Sequence, residues 1–164
     1  MKISDQWKIF IEARKSAPVD VFSLPAKLGV RLREAFLADD ISGMLERDQD
    51  TFLITLSAND SVTRKRFTLA HELGHYMLHR NLVGDGVDDD RAYRSTQAGK
   101  YHNTLIGPHE ETQANKFAAS LLMPDALINA EWAKAQGDVG HMAKLFGVSK
   151  HAMSIRVGVT YTQG

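Results

Sequence analysis

Arg66-Phe67-Thr68-Leu69-Ala70-His71-Glu72-Leu73-Gly74-His75-Tyr76-Met77-Leu78-His79 is the stretch on which the reading of the whole chain turns. From Phe67 to Leu78 it is apolar nearly all round, the pattern of a buried helix. Its polar exceptions, Thr68, His71, Glu72, His75 and His79, follow spacings of three and four and form one stripe. Burying two imidazoles and a carboxylate without partners is costly. A cleft that holds a cation removes the cost, because the imidazoles become ligands. His71-Glu72-x-x-His75 has the spacing of two metal ligands and a general base on one helix. Residues four apart lie one turn above each other, about 5–6 Å between Cβ atoms. Two imidazoles can then meet one ion at about 2.0–2.1 Å each, with Glu72 beside them to take a proton from the attacking water. The chemistry predicted is metal-assisted hydrolysis of an amide.

Composition narrows the alternatives. Twenty basic and twenty acidic residues give a formal net charge of zero, so broad electrostatic capture of nucleic acid or an anionic membrane is not expected. There is no cysteine, which excludes a disulfide frame and a thiolate zinc site and leaves His and carboxylate ligands. Met1-Lys2-Ile3-Ser4-Asp5-Gln6-Trp7 lacks the apolar h-region of a signal peptide. No apolar run approaches the ~18 residues that span a bilayer, and a cytoplasmic protein is expected. At 164 residues the chain has the length of one domain. The expected division is a catalytic core over about 1–123 and a helical, helix-turn-helix-like extension over about 124–164.

The flanking sequence predicts an α+β fold. Helical spacing runs from about Asp5 to Lys15, with Trp7, Phe10 and Ile11 on one face. Val19 to Leu28 reads as a short second helix closed by Gly29. A strand is expected over Val30 to Phe36, then a hairpin of Ile41 to Arg47 and Thr51 to Ser57, turning at Asp48-Gln49-Asp50. Asn59-Asp60-Ser61 is rich in N-cap residues and should start the motif helix. A small antiparallel or mixed sheet would thus back that helix. Residues 81–108 form a long polar connection, and Glu110 to Met123 a strong helix stopped before Pro124. Pro124 suits the first turn of another helix, to about Gln136. Two short helices, Asp138 to Phe146 and Ser149 to about Val157, follow around Gly147-Val148.

A catalytic zinc site usually has three protein ligands, so one remains to be found. His79 lies eight residues beyond His71, an axial rise of about 12 Å, too far for a straight helix to aim both at the same ion. Glu110 and Glu111 are better candidates, and periodicity does not separate them.

Phe67-Thr68-Leu69-Ala70-His71-Glu72-Leu73-Gly74-His75, together with Glu111-Thr112-Gln113-Ala114-Asn115-Lys116-Phe117-Ala118-Ala119-Ser120-Leu121-Leu122-Met123-Pro124, resembles the ImmA/IrrE family of metallo-endopeptidases. Ala17-Pro18-Val19-Asp20, Leu28-Gly29-Val30, Asp40-Ile41-Ser42-Gly43-Met44, Val148-Ser149 and Arg156 add to the likeness. The resemblance implies that Glu111 is the third ligand, completing a His₂Glu site of the gluzincin kind with His71 and His75, and that Asn115 accompanies it. It also implies a zincin-like core and cleavage of an Xre-type helix-turn-helix repressor. Zinc is the default ion for this set, and ligand type leaves manganese or iron open. Nothing after the last helix corresponds to the sensor domain of the radiation-response members, so regulation by a built-in sensor is not expected.

Other residues receive plainer expectations. Asn115 would orient Glu111 or lie on the helix surface, and Gly74 would let another backbone pack closely. Tyr93, Tyr101, His102 and His109 are candidates for an oxyanion donor, although each suits an ordinary loop or cap. His141 and His151 are expected on the surface, and Arg64-Lys65-Arg66 as a charged helix face. The rival function is DNA binding, because Met142 to Arg156 has helix-turn-helix spacing with Gly147 in the turn. Its second helix offers only Lys150, His151 and Arg156 to phosphates, with no Asn, Gln and Arg set to read base edges. Docking onto the repressor, or packing, is the better expectation. A third reading, a metal-binding regulator that holds a repressor without cutting it, leaves Glu72 without a purpose.

Overall fold

The structure, a computed structural model, describes residues 1–83, 103 and 105–159. Tyr93, Tyr101 and His102 lie outside the described residues. The fold is α+β, with a mixed three-stranded sheet and seven α-helices among the described residues.

The hairpin forms where expected. Strand β2 (Gly43–Asp48) and strand β3 (Thr51–Ser57) pair antiparallel, Leu45 opposite Ile54, across a turn in which Gln49 takes a positive φ of 57°. Strand β1 (Arg31–Ala35) joins parallel to β3, giving the order β1-β3-β2. The central strand explains its own sequence. Buried from Leu53 to Ser57, β3 carries the apolar run Phe52-Leu53-Ile54 and then Leu56, not a strict alternation.

The motif helix α3 (Val62–Leu78) starts at the predicted cap, where Ser61 Oγ accepts from the Arg64 backbone N–H at 3.2 Å. It packs against β2 and β3 on one side. Gly43 makes the contact close: a Cβ there would stand 2.5 Å from Thr68 Cγ2 and 3.0 Å from the Thr55 carbonyl oxygen. On the other side lies helix α4 (Pro108–Leu122), with which α3 makes its most extensive contact. Gly74 allows it. A Cβ at Gly74 would lie 3.1 Å from Phe117 Cδ1 and 3.2 Å from Ala114 Cα. The N-terminal helix α1 (Ile3–Ala13) supports α4 from outside, with Phe10 edge-on to Phe117 at 5.2 Å and Trp7 tilted against it at 6.0 Å. Leu45, Ile54, Leu69, Leu73 and Leu122 form part of the buried core between these layers.

Two elements differ from expectation by more than a residue or two at their ends. The Val19 to Leu28 segment is a 3₁₀ turn, Val21–Ser23, leading into helix α2 (Leu24–Leu28), which Gly29 closes with φ 74°. Pro124 caps helix α5 (Asp125–Trp132) from outside rather than entering it, and α5 stops well before Gln136. Gln136 and Gly137 both have positive φ, 53° and 76°, which a right-handed helix cannot continue through.

Helices α6 (Val139–Phe146) and α7 (Lys150–Val157) meet at Gly147, as expected, with φ 66°. Their attachment corrects the charged-face expectation for Arg64-Lys65-Arg66. Arg64 is exposed and Lys65 half-buried, but Arg66 is buried. Its guanidinium donates to the carbonyl oxygens of Val19 at 2.8 Å, Gly147 at 3.1 Å and, more weakly, Phe146 at 3.5 Å. The start of the motif helix is therefore pinned both to the N-terminal segment and to the turn between α6 and α7.

Candidate metal centre

Helix α3 brings His71 and His75 onto one face, with ring centroids 4.7 Å apart and planes at 88°. The packing of α4 across Gly74 sets Glu111 opposite them. One carboxylate spans both rings: Oε2 lies 3.1 Å from His71 Nε2, and Oε1 lies 2.9 Å from His75 Nε2. These three residues offer ligand atoms that all lie within 4.8 Å of one another. Tetrahedral bonds of about 2.0–2.1 Å need neighbouring donors roughly 3.3 Å apart, so a shift of a few tenths of an ångström makes room for an ion. Two imidazoles and a carboxylate are also the donor types that divalent zinc accepts. The residues fit a metal.

The electrostatics reflect the same convergence. At His71 burial opposes a charge, but hydrogen bonds and charges from Glu111, Glu72 and Asn115 outweigh it and hold the imidazole above its usual range. Burial also works against ionised Glu111. The two imidazole hydrogen bonds overcome it and hold the carboxyl at about 2 instead of 4.5. At pH 7 Glu111 is an anion facing two nitrogen donors.

Asn115 behaves differently from expectation. Its Oδ1 lies 2.8 Å from His71 Nδ1, so it orients the imidazole and not Glu111. An Nδ1–H donated there leaves Nε2 to hydrogen-bond Glu111 without an ion and to offer its lone pair to one. His79 lies outside the cluster of His71, His75 and Glu111. It is buried behind His75, with the two Nδ1 atoms 2.9 Å apart and its Nε2 2.7 Å from Gln113 Oε1. Burial lowers the His79 pKa. Glu110, the alternative third ligand, instead closes the start of α4, its Oε2 accepting from the Gly107 backbone N–H at 3.1 Å.

The site lies in a cleft of about 900 Å³. Asp40 to Gly43, at the entry to β2, line one side, and Glu111, Asn115, Ala119 and Met123 of α4 another. His71 and Glu72 are on its α3 wall, and Glu72 is 4% exposed. Ser149, His151, Ala152 and Ile155 of α7 complete the lining. His151, expected merely at the surface, is exposed into this cleft. His141 and His109 are exposed elsewhere.

Compared with known proteins, residues 25–157 match the model of the Peptidase_M78 family, described as the IrrE N-terminal-like domain. The chain belongs to this family. It is similar to Metallopeptidase ImmA of Bacillus subtilis (strain 168), 28% identical over 96 residues that cover 58% of this chain and 50% of that protein. Its fold is similar to that of a solved Mycobacterium tuberculosis transcriptional regulator, with a TM-score of 0.63 at 14% identity, covering 98% of this chain and 47% of that one. The chain thus spans about half the length of each. In this family member α4 supplies both the carboxylate opposite the helical histidines and the amide that orients one of them.

Two contributors escaped the sequence. Asn115 was visible at i+4 from Glu111, but its partner on α3 depends on how the helices cross. The α7 lining of the cleft depends on the Arg66 contacts across more than seventy residues.

Proposed function

We propose that this protein is a metal-dependent endopeptidase with His71, His75 and Glu111 as ligands and Glu72 as general base. The observation that carries the reading is one carboxylate bridging the Nε2 atoms of two imidazoles, beside a second, buried carboxylate, on the wall of an open cleft. Zinc is the ion we favour. When bound it would polarise the scissile carbonyl and acidify the attacking water. Glu72 takes the proton of that water and delivers it to the nitrogen of the leaving amine. Asn115 keeps His71 in the tautomer with a free Nε2. Asp40 to Gly43 line the cleft, and there the entry of β2 would hold an extended peptide through main-chain hydrogen bonds.

The substrate we favour is an Xre-type helix-turn-helix repressor, cut in the cytoplasm so that repression is relieved. The family membership and the relative named Metallopeptidase ImmA support the peptidase assignment. No helix of the described residues is long and apolar enough to cross a membrane. DNA reading by α6 and α7 is disfavoured by what α7 already does. His151 and Ile155 face the cleft, and Arg156 donates to the Met123 carbonyl oxygen at 3.2 Å and pairs with Asp125.

Co-incubation with an Xre-type repressor of the same genome, followed by mass spectrometry, tests the reading. Cleavage should occur at one site and stop on chelation. Glu72→Gln should keep the metal and bind the repressor but cut it slower by about 10²–10⁴-fold. If Glu72→Gln relieves repression in cells as well as the parent does, the protein sequesters its partner instead of cutting it.

A further inference from the structure

His79 is buried at the end of α3, and the proposed mechanism gives it no task. A buried imidazole needs partners for both nitrogens, and His79 finds them in His75 Nδ1 at 2.9 Å and Gln113 Oε1 at 2.7 Å. Two nitrogens at 2.9 Å share one proton, so one must donate and the other accept. A chain of such bonds has a direction, and only two are open to this one. In the first, His75 Nδ1–H donates to His79 Nδ1, and His79 Nε2–H donates to Gln113 Oε1. His75 Nε2 would then offer its lone pair to a bound ion, in place of the hydrogen bond it makes to Glu111 without one. In the second, Gln113 turns its amide to donate, every bond reverses, and the neutral His75 carries its proton on Nε2, where it cannot act as a ligand.

We propose that His79 and Gln113 are a positioning relay that holds His75 in its metal-binding tautomer and orientation, a role that rests on the His71, His75 and Glu111 centre proposed above. Asn115 does the same for His71 in one step. Both helical ligands are then fixed from α4, which also carries Glu111. Gln113 anchors the longer relay through its amide oxygen, the atom turned toward His79. His79 lies one turn beyond His75 and just past the helix end, where its side chain is free to fold back under the ligand.

The test is zinc titration of the metal-free protein, paired with ¹⁵N NMR of the histidine side chains in the zinc-loaded protein. Partners behind a ligating histidine are typically worth about 10–100-fold in metal affinity, and His79→Ala should lose that much. Gln113→Glu, which still accepts, should match the parent. Gln113→Lys, which only donates, should lose affinity as His79→Ala does. These two variants also differ in charge near the ion, so the histidine ¹⁵N spectra of both decide whether donor type is the cause. The NMR spectrum should show His79 protonated on Nε2 and unprotonated on Nδ1. His79 protonated on Nδ1, or His79→Ala within twofold of the parent while His71→Ala loses zinc, overturns the relay and leaves the metal centre standing. A parent that binds zinc no better than His71→Ala overturns the centre and the relay with it.

Discussion

Alanine is the better helix former, yet Gly74→Ala should destabilise this protein. In an exposed helix interior the change gains about 1 kcal/mol. Gly74 is buried against α4, and the added methyl would meet Phe117 Cδ1 at 3.1 Å, Ala114 Cα at 3.2 Å and Phe117 Cβ at 3.2 Å. Two of these three, Ala114 Cα and Phe117 Cβ, move only with the backbone, so α4 must move back by a few tenths of an ångström. Overpacking of this kind costs roughly 1–3 kcal/mol, and the net loss should be about 0–2 kcal/mol. For a chain of this size each kcal/mol lowers Tm by about 2–4 °C. A second effect matters more for the site. Glu111 lies one turn before Ala114 on the helix that moves, so it withdraws from His71 and His75. Zinc titration of metal-free Gly74→Ala should therefore show weaker binding than the stability loss alone would suggest. Since Phe117 Cδ1 is the one of the three atoms that belongs to the ring, Phe117→Leu should recover part of both losses in the double variant, and the two changes should be non-additive. If Gly74→Ala raises Tm and leaves zinc affinity unchanged, the close approach of α3 and α4 is not what Gly74 serves.

Three further predictions follow from the same geometry. Arg66→Met should lose about 1–3 kcal/mol in chemical denaturation, because the Gly147 carbonyl oxygen loses its donor while that of Val19 keeps the Val21 N–H at 2.9 Å; Arg66→Lys should recover only part, since one ammonium cannot fork to three acceptors. Gly147→Ala should destabilise by at least about 1 kcal/mol from the left-handed backbone alone, and by more because its Cβ would stand 2.6 Å from Arg66 Nε; unchanged stability by differential scanning calorimetry would contradict this. Zinc affinity should fall as pH drops: His71 holds its proton above its usual range when metal-free, so below that pKa the ion must displace a proton, and binding should weaken by about tenfold per pH unit for each proton released. Glu111, held at about 2, adds no such competition near neutrality, and calorimetric titrations that give a flat profile between about pH 5 and 8 would refute the assignment.

Much of the fold was legible because local chemistry and tertiary structure agree. The Ser61 cap, the turn at Gln49 and the glycines at positions 29 and 147 are local signals, and each marks its element. Gly74 was readable for a similar reason, since a glycine inside a strong helix needs a neighbour to justify it. The pairing of β1 with β3 instead of β2 was not legible. The apolar run of β3 implies coverage on both faces but does not say which strand lies on either edge. Arg66 was misread because three consecutive basic residues look like a solvated face, and nothing near them in sequence shows three carbonyl acceptors. At the site, spacing along one helix indicated His71 and His75, whereas choosing Glu111 over Glu110 required the family likeness. The Glu110 bond to the Gly107 N–H gives the physical ground: in the first turn of α4 one glutamate closes the helix end, and the other is left to face α3.

The Arg66 contacts also bear on the order in which the site can be completed. The three residues we propose as ligands, together with Glu72, lie between positions 71 and 111, so a chain cut after Met123 would contain every group with a chemical role. It would also strand Arg66 with one of its three carbonyl acceptors, since those of Phe146 and Gly147 would be missing. On the ribosome the same condition holds for a time. The residues for metal binding emerge first, and the contacts that seat the motif helix arrive only after the turn at Gly147 has been made. Bonds between residues this far apart in sequence form late and slow folding. A shortened version intended as a minimal catalyst should therefore lose the firm seating of its motif helix well before it loses any residue of the site.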